Sequence, residues 1–146
     1  MASSKSTKSG FSDAEREAMK ERAEELRAEG RGGKKKAEDA HALLEKIAEM
    51  PDEDRTLAEK IHAIVTETAP DLVPRTWYGM PAYSKDGDVL LFFKNASKFK
   101  ARYATLGFSD KAALDKGSMW PVYYALTKIT ATVEKELRAL VKQAIS

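Results

Sequence analysis

At 146 residues the chain has the length of one domain, with 42% apolar and 33% charged residues and a formal net charge of +2, a balance that implies a globular protein and no bulk polyanion partner. The absence of cysteine excludes disulfides, thiolate nucleophiles and zinc ribbons or fingers, and suits a reducing compartment. The start MASSKSTKSG is polar and no apolar run approaches a bilayer span, so a cytoplasmic protein without membrane association is expected.

Residues 1–10 read as a disordered polar tail. Ser12 followed by Glu15 is a capping box, with Asp13, Glu15 and Glu17 loading the first turn of a helix over 13–29. Its apolar side, Ala14, Ala18, Met19, Ala23 and Leu26, is thin, and the pair Glu24 with Arg27 belongs to its solvated side, so the helix is expected to sit loosely on the domain or off it. GRGGKKK, 30–36, then reads as a glycine stop and a flexible basic linker, which divides the chain into a peripheral 1–37 and a compact domain 38–146.

From Glu38, the stripe Leu43, Leu44, Ile47 and Met50 marks one amphipathic helix. Pro51 interrupts it, and Asp52 is placed to cap a second, with Leu57, Ile61, Ile64, Val65 and Thr68 on its inner side. Pro70 and Pro74 force extended chain. After them the apolar period becomes alternating: Asp86-Gly87 is a two-residue hairpin signal, Val89 to Phe93 reads as an interior strand, and NASK as the next turn. Phe99, Ala101, Tyr103 and Thr105 alternate with Lys100, Arg102, Ala104 and Leu106 as a half-buried strand; a short helix is expected over 109–117. MWPVYYAL follows as a strand confined by Pro121 to a sheet edge or a strand start. The last helix, about 130–144, carries Ile129, Val133, Leu137, Leu140, Val141 and Ala144 on one side. The predicted fold is α+β: an antiparallel meander of three to five strands, packed by two helices before it and one after, and preceded by an extra peripheral helix.

Three groups of residues invite a functional reading. In TWYGMPAY, read as a strand, Trp77, Gly79, Pro81 and Tyr83 face one way and Tyr78, Met80 and Ala82 the other. With Tyr103, Trp120, Tyr123 and Tyr124 they are expected either to line an aromatic pocket for a small apolar or planar ligand, or to be the plain core of a small sheet. On the first domain helix, Glu38, His41, Glu45 and Glu49 fall in a row, continued by Asp52, Glu53 and Asp54; oxygen ligands with one imidazole suit iron, manganese or magnesium, although an acidic helix face is also an ordinary solvated face. The candidate metal residues are His41, Glu45, Glu49, Asp52 and Glu53. Lys98, Lys100 and Arg102, interleaved with Phe99 and Tyr103, resemble a rudimentary nucleic-acid strand that the basic linker would reinforce, but Phe99 and Tyr103 face away from Lys100 and Arg102 as in an ordinary half-buried strand, so a nucleic-acid partner is not expected. His62, three residues after Glu59, is a candidate base or ligand, or a boundary histidine. Neither a phosphate loop nor a nucleophilic triad is evident.

The succession TWYGMPAY, DVLLFF, KFKARYATLGF and MWPVYYALT before a terminal amphipathic helix resembles the YdhG-like family of small bacterial domains, from about Ala40 to the C-terminus. The resemblance implies a frataxin-like α+β domain, and some relatives are described as intracellular iron chaperones. The expectation is therefore a non-enzymatic intracellular binding protein, monomeric or weakly dimeric. Its acidic helices would meet iron as cargo or a basic partner protein; alternatively, the aromatic pocket around Trp77 and Trp120 would hold a small molecule.

Overall fold

The computed structural model describes residues 11–28 and 35–146; the expected tail over 1–10, most of the basic linker and the side chains of Leu26, Arg27, Ala28 and Lys35 lie outside the described residues. The described elements are α1 (Asp13–Ala28), α2 (Lys35–Ala48), α3 (Asp52–Thr68), β1 (Val73–Trp77), β2 (Met80–Lys85), β3 (Asp88–Lys94), β4 (Ala104–Phe108), β5 (Tyr123–Leu126) and α4 (Ala131–Ala144). The strands form one antiparallel sheet in the order β1-β2-β3-β4-β5. The fold is the α+β meander that the sequence pattern predicts, and among the described residues no helix is long and apolar enough to cross a membrane.

Local sequence accounts for the termini and turns. The Ser12 amide donates to Glu15 Oε1 at 3.0 Å while the Glu15 amide donates to Ser12 Oγ at 3.1 Å, the reciprocal bonds of a capping box. At the start of α4 the Thr130 hydroxyl accepts from the Val133 amide. Asp86 and Gly87, with φ of 52° and 87°, close the β2–β3 hairpin in the left-handed conformations that a two-residue turn between twisted strands needs.

Helices α2, α3 and α4 lie on one face of the sheet. Leu43 and Ile47 of α2, Ile61 and Val65 of α3, and Leu137 and Val141 of α4 meet Tyr83, Leu91, Phe93 and Leu106 from the strands in one continuous core. A bulge sets which β3 side chains join it: Tyr83 pairs with Leu91 but Ser84 with Val89, so Leu90 is an extra residue that also turns into the core. Beyond the bulge Phe92 and Lys94 alternate onto the opposite, open face.

The structure departs from the sequence expectations at definite places. Helix α2 begins at Lys35, so Lys35 and Lys36 form its first turn rather than linker. Leu44, expected inside, is 48% exposed, because the sheet-facing side of α2 is set by Leu43 and Ile47. Pro51, not Asp52, is the N-cap of α3 and makes no side-chain cap bond; the Asp52 carboxylate is instead 2.6 Å from the Arg55 guanidinium. TWYGMPAY is two strands and a turn, not one strand: Tyr78 and Gly79 have φ of 52° and 74°, and Trp77 pairs with Met80. That puts Trp77, Met80 and Ala82 together on the open face and Pro81 and Tyr83 on the helix face.

The strand expected over 99–106 begins only at Ala104. Lys100 is left-handed at φ 53°, and the Ala101 amide returns to the Ala96 carbonyl, so 96–100 is a folded turn. The helix expected over 109–117 is absent from that described segment. Ala112 and Leu114 are both buried, an i, i+2 spacing, and the Ala113 amide donates to the Ala144 carbonyl at the end of α4 instead of to a helical partner.

Candidate functional site

The open face of the sheet carries a row of aromatic rings. Ala82, Phe92, Gly107 and Tyr123 are directly opposite one another across β2 to β5. The Phe92 ring spreads over Gly107, where a Cβ would overlap it, and so reaches its neighbours on either side. Its centroid is 5.2 Å from that of Trp77 and 5.8 Å from that of Tyr123, the second contact edge-on. Met80 and Phe92 are nevertheless buried, because Trp77, Tyr78, Val89 and Phe99 pack around them as a satellite of the main core.

Helix α1 walls this face on one side, and polar contacts hold it there. The Glu25 carboxylate accepts from the Tyr78 amide at 3.1 Å and the Gly79 amide at 3.2 Å, the two donors at the tip of the β1–β2 hairpin. One turn earlier, Glu21 bridges Lys46 of α2 and Lys98 of the 96–100 turn, each at 2.5 Å. Burial raises the Glu21 pKa, but the two ammonium groups outweigh it and hold the carboxyl below its ordinary value. Burial likewise opposes charge on Lys46, yet Glu21 keeps its pKa above the ordinary lysine value. Ala18 is 4% exposed beneath the helix, while Phe11 and Met19 remain partly open.

Between α1 and the sheet lies an open hollow of about 410 Å³. Trp77, Tyr78, Met80 and Phe92 form its floor, Phe99 and Tyr123 its far side, Phe11, Ala18 and Met19 the helical wall. Among the described residues Glu15, Lys94 and Thr105 also reach it, beside the polar groups of Trp77, Tyr78 and Tyr123. Of the expected pocket residues, the structure brings together Trp77, Tyr78, Met80 and Tyr123. Tyr83 and Pro81 lie beneath the sheet, and Trp120 packs against the helix-side core. Tyr103 faces outward with the Arg102 guanidinium 5.1 Å from its ring. Gly79 borders a separate, charged recess with Glu21, Lys46 and Lys98.

The five candidate metal residues are not gathered. His41 and Glu45 pair with each other at 3.6 Å on an exposed face; Glu49 is 4.0 Å from Lys46; Asp52 engages Arg55; Glu53 is exposed. Among the described residues no three His, Asp or Glu side chains form a group able to hold a metal ion. In the acidic run that follows, the side chain that turns inward is Asp54, 5% exposed, which accepts from the Ser97 amide at 3.1 Å, from the Ser97 hydroxyl, and from Asn95 Nδ2 at 3.4 Å.

The basic set does not line a strand either: Lys98 is committed to Glu21, and Lys100 sits at the exposed corner of the turn. His62 is half-buried with Nδ1 3.0 Å from the Tyr83 hydroxyl, and burial holds its pKa below the ordinary value.

Phe92, Lys94, Phe99 and Thr105 are site residues that the sequence reading left out of the pocket. The alternation of VLLFFK held the signal for Phe92 and Lys94, hidden by the extra residue Leu90. No protein-family model matches the chain, and no curated protein or solved structure is significantly similar to it.

Proposed function

We propose that the chain is a non-enzymatic, cytoplasmic binding protein whose ligand is a small planar molecule held in the hollow between α1 and the open face of the sheet. The observation that carries this reading is the ring system of Trp77, Phe92 and Tyr123, which among the described residues faces a hollow of about 410 Å³ instead of being sealed by a helix, as the other face is. That volume lies within the range of about 300–1,000 Å³ of small-molecule sites, and a lining of rings and hydrocarbon with a few convergent polar groups is the usual composition of one. Flat rings present their faces to a flat ligand, and edge-on contacts such as that between Phe92 and Tyr123 fix those faces before the ligand arrives. The resemblance to the YdhG-like family, some of whose relatives are described as iron chaperones, agrees with binding rather than catalysis.

The chain has two tryptophans, and they lie on opposite faces of the sheet, which makes the test direct. A Trp120→Phe protein reports only on Trp77, and a Trp77→Phe protein only on Trp120. Planar metabolites that bind the hollow will quench or shift the emission of the first and leave the second unchanged. A panel that moves only Trp120, or moves neither, overturns the assignment.

A further inference from the structure

We propose that the hollow selects aromatic carboxylates, with Lys94 as the residue that binds the carboxylate; this rests on the hollow being the ligand site. Lys94 is the last residue of the central strand β3 and pairs across the ladder with Thr105 of β4, so both side chains rise from the open face at the same level. Both line the hollow. The Lys94 ammonium lies 4.9 Å from the centroid of the Phe99 ring, and among the described residues no carboxylate pairs with it. Its neighbour in the turn differs: Lys98 is bonded to Glu21 and serves to dock α1.

A strand-borne cation whose charge, among the described residues, meets a ring face and no carboxylate, at the edge of an aromatic floor, is a complement for an anion attached to a planar body. The body covers Trp77, Met80 and Phe92, while the anion reaches Lys94 and accepts from the Thr105 hydroxyl. Next to low-dielectric ring surface such a charge-assisted bond is worth more than the same pair in water. A ligand ammonium would face Lys94 with like charge and be rejected. Glu15, the acid of the lining, does not reverse this preference: one of its oxygens is engaged by the Ser12 amide at the start of α1, and the helix N-terminus offsets its charge. The volume suits a body of one or two fused rings.

The test uses three probes with one indole body, indole-3-acetate, indole-3-acetamide and tryptamine, titrated into the labelled full chain and followed by backbone amide NMR. The acetate is expected to bind about tenfold more tightly than the acetamide, the ratio that one charge-assisted contact gives, and tryptamine more weakly than either. In Lys94→Gln the acetate and acetamide should become equal within about twofold, with acetamide affinity unchanged, since only the charge contact is removed. Equal affinities in the unaltered protein, or a preference that survives Lys94→Gln, overturn the proposal while leaving the hollow as a site for planar ligands. If none of the three shifts the amides of Trp77 to Met80 and Phe92, the hollow itself is not a ligand site and both readings fall.

Discussion

The ring of Phe92 lies on Gly107, the residue directly opposite it on β4, and occupies the space where any other residue would place its Cβ. Gly107 has an ordinary extended backbone, so what the position requires is the missing side chain and not glycine's conformational freedom. Gly107→Ala is therefore expected to destabilise the domain by about 1–3 kcal/mol through overpacking, although alanine has the lower chain-entropy cost in a strand. Combining it with Phe92→Leu should recover part of that loss, a coupling measurable by urea unfolding of the four proteins in the cycle. Strict additivity would mean that the ring does not depend on Gly107.

Docking of α1 rests on Glu25 as an acceptor for two hairpin amides. In Glu25→Ala the amides of Tyr78 and Gly79 lose a charged partner, which should lower the free energy of opening α1 by about 1–3 kcal/mol. Amide hydrogen exchange across 16–25 should accelerate while exchange in β3 and β4 stays as it was. Equal acceleration everywhere would mean that α1 is part of the global folding unit.

The second anchor gives this docking a pH dependence. Because Lys46 and Lys98 hold the Glu21 carboxyl below its ordinary value near 4.5, the undocked helix takes up a proton more readily than the docked one. The contribution is complete above about 4.5 and is lost as pH falls through the lower, docked value. Exchange of the α1 amides, corrected for intrinsic rate, should rise across that acidic window. In Glu21→Gln the rise attributable to this group should vanish.

How much of this was legible in the sequence follows from the range of the interactions involved. The Ser12–Glu15 capping box, the Asp86-Gly87 turn and the inner sides of α2, α3 and α4 depend on neighbours in sequence and form where expected, save that Leu44 turns outward and Asp52 does not cap α3. The Tyr78-Gly79 turn was missed because tyrosine is an uncommon occupant of a left-handed position; Glu25, distant in sequence, supplies the compensating bonds. That one turn decides which TWYGMPAY side chains share a face, so the expected pocket combined residues from both sides of the sheet. The charge on α1 marks a solvated helix by pattern alone, yet Glu21 and Glu25 are the residues that attach it.

Asp54 shows the same limit and carries its own prediction. The run Asp52, Glu53, Asp54 looks uniform, but only Asp54, three positions into α3, faces the 95–97 turn and satisfies Ser97 and Asn95 from the helix N-terminus. Asp54→Ala leaves the buried Asn95 amide and the part-buried Ser97 donors without their acceptor and should cost about 1–3 kcal/mol, mostly for the buried group, since Ser97 is exposed and can turn to water. Asp54→Asn, which keeps one carbonyl but loses the charge, should cost about half as much. Asp52→Ala and Glu53→Ala, at exposed positions, should change the urea midpoint little. If all three alanine variants behave alike, the 95–97 turn is not held by Asp54.

His62 supplies the remaining pH-sensitive contact. Its Nδ1 shares a hydrogen bond with the Tyr83 hydroxyl, and burial disfavours both ionised forms, lowering the histidine pKa and raising that of the phenol. The unfolded chain thus binds a proton at His62 more readily than the folded one. Stability from this group is complete above the ordinary histidine value of about 6.5 and declines as pH drops through the lower folded value. Urea midpoints measured between pH 7.5 and 5 should fall for the unaltered protein and fall less for His62→Gln. Tyr83→Phe should cost about 1 kcal/mol at neutral pH for the lost bond and keep the acid slope, since burial and not the phenol sets the histidine's pKa. Parallel curves for His62→Gln and the unaltered protein would show that His62 titrates alike in both states.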